Sequence, residues 1–313
     1  MATLRTAVIG TGYMGRFHAE KLASCADARL VAACDVDRAR AQAIAARLGC
    51  EAEHDYRALL GRIDAACVAV PTAAHREVVG ACLEAGVHVL VEKPLARTLA
   101  EADELLALAQ AKRLVLQVGH LERFNPAFRA LAAQSGAPRF IDIERLSGFK
   151  ARGADVDVIL DLMIHDLDLV LALARAPLEG LSACGFRVLT SAIDIAHARL
   201  EFADGCIANV SASRVSQAPV RKLRVFRAEL YVSADLQGQR LRLVRRVGGE
   251  IAELEQKFEP ADALQAQTDS FVRSVREGAT PQVSGAEGRR ALALALEVGQ
   301  LVERRLERYE AAR

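Results

Sequence analysis

The chain has 313 residues, 52% hydrophobic and 26% charged, the composition of a soluble globular protein long enough for one large or two medium domains. Its 41 basic and 40 acidic residues leave a formal net charge of +1, which argues against a nucleic-acid partner or an anionic membrane surface. No apolar stretch reaches the roughly 18 residues of a membrane span. The N-terminus lacks a signal-peptide pattern, and seven scattered cysteines without CxxC spacing fit a reducing cytoplasm with neither disulfides nor a metal site.

Up to about residue 120, short apolar runs alternate with alanine-rich amphipathic stretches. TAVIG (6–10), RLVAACD (29–35), AACVAVP (65–71), VHVLVE (87–92) and RLVLQVG (113–119) predict strands. Tyr13–Ser24, Asp37–Leu48, Thr72–Ala85 and Thr98–Ala111 predict helices between them. Strands that are apolar throughout and joined by helices indicate an α/β Rossmann-type domain, a parallel sheet covered on both faces, over 1–120. From 121 to 313 the pattern is α+β with a largely antiparallel open sheet. A helix starts near Pro126 and another covers Asp161–Arg175. Alternation from Leu181 to Arg246 includes a hairpin around Ala203-Asp204-Gly205 and two or three strands over 222–246. Helices return at 261–277 and 285–309, and these can pack back on the first domain.

VIGTGYMG holds Gly10, Gly12 and Gly15 as GxGxxG, after a strand and opening a helix, and Asp35 closes the next strand. Gly10 allows the tight turn, Gly12 the approach of a pyrophosphate and Gly15 the packing of helix on strand, with the helix N-terminus facing the phosphates. Asp35 can accept from both ribose hydroxyls and repels a 2′-phosphate, which favours NAD; Arg38 keeps NADP open. Tyr13 and Met14 in the loop, Pro71, Thr72 and His75 after the third run, and Glu92 with Lys93 after the fourth complete the expected cofactor contacts.

Ligands of a parallel sheet bind at the carboxyl ends of its strands, where Lys93 stands in Glu92-Lys93-Pro94. A lone lysine there is more commonly a surface residue, but an X-Pro bond is the one place where a cis peptide is cheap, and such a bond would hold Lys93 in place. Farther on, DLMIHDLD (161–168) sets Asp161 and His165 one turn apart on one helix face, with Asp168 a turn beyond. Leu162, Met163, Ile164 and Leu167 fall on packing faces, and a polar stripe on an apolar helix suits the wall of a cleft between domains. Asp166 and Asp168 read as structural or orienting residues.

GxGxxG with Asp35, AVPTAAH (69–75), EKP (92–94) and DxxxH (161–165), in this order over essentially the whole chain, resemble the family of glucose–fructose oxidoreductase and inositol dehydrogenase (Gfo/Idh/MocA). The resemblance implies Lys93, Asp161 and His165 as the catalytic set and a cis Lys93–Pro94 bond. It also implies oxidation of a secondary sugar hydroxyl, in which His165 takes the hydroxyl proton and Lys93 donates to the same oxygen. LQVGHLERFNPAFRAL (116–131), DVDVILDLMIHDLDLVL (155–171) and FRAELYVSADLQGQ (226–239) resemble one branch, the UDP-N-acetylglucosamine 3-dehydrogenases of lipid A biosynthesis, whose 3-keto product goes to an aminotransferase partner. The usual glycine-rich turn near residue 227 is absent.

A nucleotide-sugar diphosphate needs cations, and Arg123 follows a strand end; His120 and Asn125 can bind hydroxyls. Arg214, Arg221, Lys222 and Arg224 are a second candidate set of cations for the diphosphate, although they read first as charges on an outer strand face. His18, His54, His88 and His197 have no partner by spacing and read as structural or surface residues. An inositol or free-sugar dehydrogenase, and a non-catalytic NAD-binding redox sensor, are the competing functions. The broad second sheet can support a homodimer or homotetramer.

Overall fold

The computed structural model describes residues 3–149 and 156–312 and divides into two compact units. One comprises the chain up to Leu121 with Asp262–Arg289; the other comprises Glu122–Ala261 and the chain from Arg290 on.

In the first unit the strands are β1 (Leu4–Ile9), β2 (Ala28–Cys34), β3 (Glu51–Glu53), β4 (Ala65–Val68), β5 (His88–Val91) and β6 (Leu116–Val118). They form one parallel sheet in the order β3-β2-β1-β4-β5-β6, the doubly wound order whose switch point lies between β1 and β4. β4 is buried at every position, as a strand covered on both faces must be. The connecting helices are α1 (Tyr13–Ser24), α2 (Arg38–Leu48), α3 (His75–Glu84) and α4 (Leu99–Lys112). Asp37 caps α2 by accepting from Ala39 and Arg40 N–H, and Gly49 ends it at φ 70°. Thr72–Ala74, expected as the start of α3, is instead a separate 3₁₀ turn. β3, unforeseen, is a three-residue edge strand of sequence Glu-Ala-Glu with no apolar signal to read.

The second unit adds α5 (Pro126–Ala132), β7 (Phe140–Leu146), α6 (Ile164–Leu173) and the strands β8 (Leu178–Phe186), β9 (Ile195–Phe202), β10 (Ile207–Ser213), β11 (Val220–Arg227), β12 (Leu230–Asp235), β13 (Arg240–Val247) and β14 (Glu250–Lys257). The sheet runs β14-β13-β12-β11-β7-β10-β9-β8, and only β7 with β10 is parallel. Gly205 at φ 81° turns the β9–β10 hairpin at the expected place. Near residue 227 the β11–β12 turn is made with Glu229 at φ 60° in place of a glycine. Phe128, Leu131, Ile141, Ile143, Met163, Leu167, Val210 and Val225 pack into one core, to which Val298 of α8 (Gly285–Ala311) also belongs. The remaining helix, α7 (Ala263–Glu277), packs on α1 in the first unit, where Lys21 Nζ lies 2.6 Å from Asp262.

The helix expected over Asp161–Arg175 has a different start. A π-helical turn, Ile159–Met163, precedes α6, and Asp157 Oδ1 caps it by accepting from Ile159 and Leu160 N–H at 2.9 Å each. Asp161 therefore sits in a wide turn rather than in the α-helix carrying His165. Among the described residues no helix is long and apolar enough to cross a membrane.

The loop between β8 and β9 is organised by Asp194. Its buried Oδ2 accepts from the main-chain N–H of Val188, Leu189 and Thr190 at 2.7–2.9 Å, while Thr190 Oγ1 donates to Oδ1 at 2.8 Å. Burial raises the pKa, but these donors outweigh it and pull the carboxyl down to about 2. Its stabilising contribution is complete above the unfolded-state pKa of about 3.9 and is lost as pH falls through the folded value. Asp194→Ala should destabilise the protein by about 3 kcal/mol at pH 7. Urea denaturation at pH 7 and again near pH 2 should show the gap between variant and wild type closing on acidification.

Candidate active site

In the first unit Gly10, Asp35, Ala69, Glu92 and Gly119 lie just past the ends of β1, β2, β4, β5 and β6, so they share the carboxyl edge of the sheet. The three loop glycines are required for different reasons. Gly10 has φ 89°, and a Cβ on it would stand 2.6 Å from the Ala69 carbonyl oxygen. A Cβ on Gly15 would fall 1.7 Å from the Gly10 carbonyl oxygen, so α1 is pressed directly on the loop. At Gly12 a Cβ would meet nothing within 4 Å, which leaves the N-terminus of α1 open to a ligand. Gly12 is also the N-cap and provides no side-chain cap for that helix.

Asp35 Oδ2 accepts from Thr11 N–H at 2.7 Å and from its hydroxyl at 3.1 Å, while Oδ1 accepts from Asp37 N–H at 2.9 Å. The carboxylate thus holds the glycine loop through Thr11, a residue the spacing alone does not single out. An open helix N-terminus, a loop of glycines and a carboxylate at the second strand end fit NAD. Tyr13 is exposed, with Arg16 5.1 Å from its ring and Phe17 edge-on, and Met14 is half-buried. Exposed Arg38 meets His54 Nε2 at 3.2 Å, Pro71 is exposed, and Thr72 opens the 3₁₀ turn.

The Lys93–Pro94 peptide is cis. Two buried histidines bracket this turn. His18 of α1 places Nε2 2.6 Å from Glu92 Oε1, and Glu92 Oε2 accepts from Lys93 N–H at 3.3 Å. His75 places Nδ1 2.9 Å from the Pro94 carbonyl oxygen and Nε2 3.0 Å from that of Val70. His75, expected near the nicotinamide, is thus buried with both ring nitrogens against the main chain, which removes it from ligand contact; burial lowers its pKa against the pull of those carbonyls. Glu92, expected as a cofactor contact, is half of an ion pair with His18. His120, after β6, is buried.

In the second unit Asn125 caps α5. Its Oδ1 accepts from Ala127 N–H at 3.0 Å, and Nδ2 donates to the Leu236 carbonyl at 2.8 Å and to Glu122 Oε2 at 3.2 Å. Both donors are used, so the expectation that Asn125 binds a substrate hydroxyl is corrected to a structural role. Arg123, expected to meet a diphosphate, is buried with its Nη1 3.8 Å from Asp168 Oδ1. Asp161 and His165 are both half-buried.

Asp166, next to His165, is fully buried and takes Arg145 Nη2 at 2.7 Å and Nε at 3.0 Å. Arg145 of β7 also donates Nη1 to Glu122 at 2.9 Å, and Arg221 reaches Glu122 at 3.3 Å. Burial opposes the Arg145 charge, but Asp166 and Glu122 outweigh it and raise its pKa; burial likewise opposes ionised Glu122, which Arg145 and Arg221 hold below the usual carboxylate range. Arg214 is buried rather than on an outer face, and donates to the Val156 and Ile193 carbonyls. Arg224 does lie on the strand's outer side, paired with Asp142 and Glu144.

A doubly wound sheet with this loop, Asp35 and a lysine at the end of β5 defines a dinucleotide-dependent oxidoreductase. Residues 4–120 match the oxidoreductase family with an NAD-binding Rossmann fold, and residues 128–233 match the GFO/IDH/MocA C-terminal domain. The chain is 40% identical over 315 residues to UDP-N-acetylglucosamine 3-dehydrogenase of Acidithiobacillus ferrooxidans, covering 98% of this chain and 100% of that one. A solved structure of that enzyme superposes with a TM-score of 0.92 at 39% identity, covering 97% and 99% of the two chains. Myo-inositol 2-dehydrogenase of Thermotoga maritima is 28% identical over 321 residues, covering 93% and 94%. The chain belongs to the GFO/IDH/MocA family and is an NAD-dependent oxidoreductase.

Gly15→Ala puts a methyl group into the Gly10 carbonyl, where only main chain could yield. NADH affinity should fall at least about tenfold, the loss of about 1.4 kcal/mol. The chain has no tryptophan, so the cofactor's own fluorescence reports binding; circular dichroism checks that the variant is folded.

Proposed function

We propose that the protein oxidises the 3-hydroxyl of UDP-N-acetylglucosamine to a 3-keto nucleotide sugar for amino-sugar (lipid A) biosynthesis. The observation that carries this reading is the likeness to the Acidithiobacillus ferrooxidans enzyme along the full length of both chains. NAD, when bound, accepts the carbinol hydrogen as hydride. His165 takes the hydroxyl proton, a task suited to imidazole with its ordinary pKa of about 6.5. Lys93 donates to the same oxygen and stabilises its developing charge. Asp161 positions the substrate or holds His165. The ketone is then a substrate for an aminotransferase, and the eight-stranded sheet supports a homodimer or homotetramer.

Full-length similarity to the Thermotoga maritima enzyme favours a second reading, oxidation of inositol or a free sugar by the same residues. Incubation with NAD and a panel of UDP-sugars and free polyols, followed by nicotinamide absorbance, separates the two. Turnover of UDP-N-acetylglucosamine is expected; activity on polyols alone would remove the nucleotide-sugar reading. Lys93→Ala and His165→Ala should each lower kcat by about 100- to 10,000-fold. If neither changes any rate, a redox-sensing role replaces catalysis.

A further inference from the structure

His18 is fully buried in α1, three residues beyond Gly15, and its ring is paired with a carboxylate that belongs to another element. That carboxylate, Glu92, is the residue before Lys93, and its second oxygen takes the Lys93 main-chain N–H. Behind Glu92 the chain leaves no slack, since a Cβ on Gly119 would stand 3.2 Å from Oε2 and 3.3 Å from the Glu92 Cα. On the far side of the turn, His75 holds the Pro94 carbonyl. The path from the helix behind the glycine loop to the main chain of Lys93 therefore runs through polar contacts, a short one of 2.6 Å between buried His18 and half-buried Glu92 and a longer one of 3.3 Å from Lys93 N–H.

A buried ion pair is a poor way to gain stability, because apolar residues of similar size do as well or better; its use at a given place points to orientation. We infer that His18 is a positioning residue for the reaction, fixing through Glu92 the main chain that presents Lys93 and tying that presentation to the helix at the cofactor loop. The inference rests on the reading that Lys93 acts on the substrate oxygen. The charge state agrees. Burial opposes the imidazolium, but Cys67 and Glu92 outweigh it and push the His18 pKa up to about 10, while His18 and Lys93 hold Glu92 below the usual carboxylate range against its own burial.

The test separates orientation from packing. His18→Leu leaves Glu92 as an unpaired buried charge and should lower both thermal stability and kcat. The double variant His18→Leu/Glu92→Leu removes both charges, so its melting temperature should return to within a few degrees of wild type. Its kcat on the best substrate of the panel should stay about 10- to 100-fold down, with the Kd for NADH within about threefold. His18→Gln, which keeps an N–H donor toward Glu92, should rescue part of kcat. Recovery of kcat together with stability in the double variant would overturn the inference and leave the pair as packing. If the double variant does not fold, the two single variants decide: a kcat lower in His18→Leu than in His18→Gln at equal NADH affinity supports the inference, and equal kcat in the two overturns it. Absence of turnover by the wild type with every sugar and polyol overturns the underlying reading of Lys93, and the inference with it.

Discussion

The first unit turns on the contact between Gly15 and the Gly10 carbonyl, a place where no side chain fits. Because α1 can come so close, its open N-terminus reaches the ligand side of the loop, and its next turn carries His18 to Glu92. One main-chain approach thus sets both the open N-terminal end of the helix and the polar link to the Lys93 turn. Asp35 acts on the same loop through Thr11, so the carboxylate at the second strand end and the glycine turn are one hydrogen-bonded unit.

The second unit solves a similar problem with Arg145. A guanidinium buried between Asp166 and Glu122 ties together β7, the turn before α5 and the first turn of α6. In both units, then, a largely buried ion pair sits immediately beside a residue for which a catalytic role is proposed, Glu92 before Lys93 and Asp166 after His165. Pairs of this kind contribute little net stability, and breaking one leaves an expensive lone charge. Their value is that the donors and acceptors accept only one arrangement, which suits groups whose orientation matters more than their binding.

Much of the architecture was legible because burial on both faces leaves an unbroken apolar run, as in β4 and β5. The elements that escaped notice are those where this signal fails. β3 is too short and too acidic; β14 lies at the sheet edge with nearly every residue exposed; β7 alternates well but presents the buried Arg145 where a hydrophobe is expected. The nucleotide loop and Asp35 were readable from spacing, since their contacts are local. His18 was not, because its partner is 74 residues away and nothing in either neighbourhood announces the other. Asn125 and His75 misled because each stands near a strand end, where ligands gather, yet their polar atoms are taken up by other groups of the protein, the Leu236 and Ala127 main chain for Asn125 and the Val70 and Pro94 carbonyls for His75.

The wide turn ahead of α6 carries its own consequence. Each residue of a helix advances the chain by about 100° around the axis, and the π turn holds one more residue than an α turn would. The angular offset between Asp161 and His165 is therefore set by the length of this turn, while α6 itself is anchored independently by Asp166. Removing one residue from this turn would rotate Asp161 relative to His165, and because Ile159 and Met163 of the same turn are fully buried, the core holds the turn at its present length.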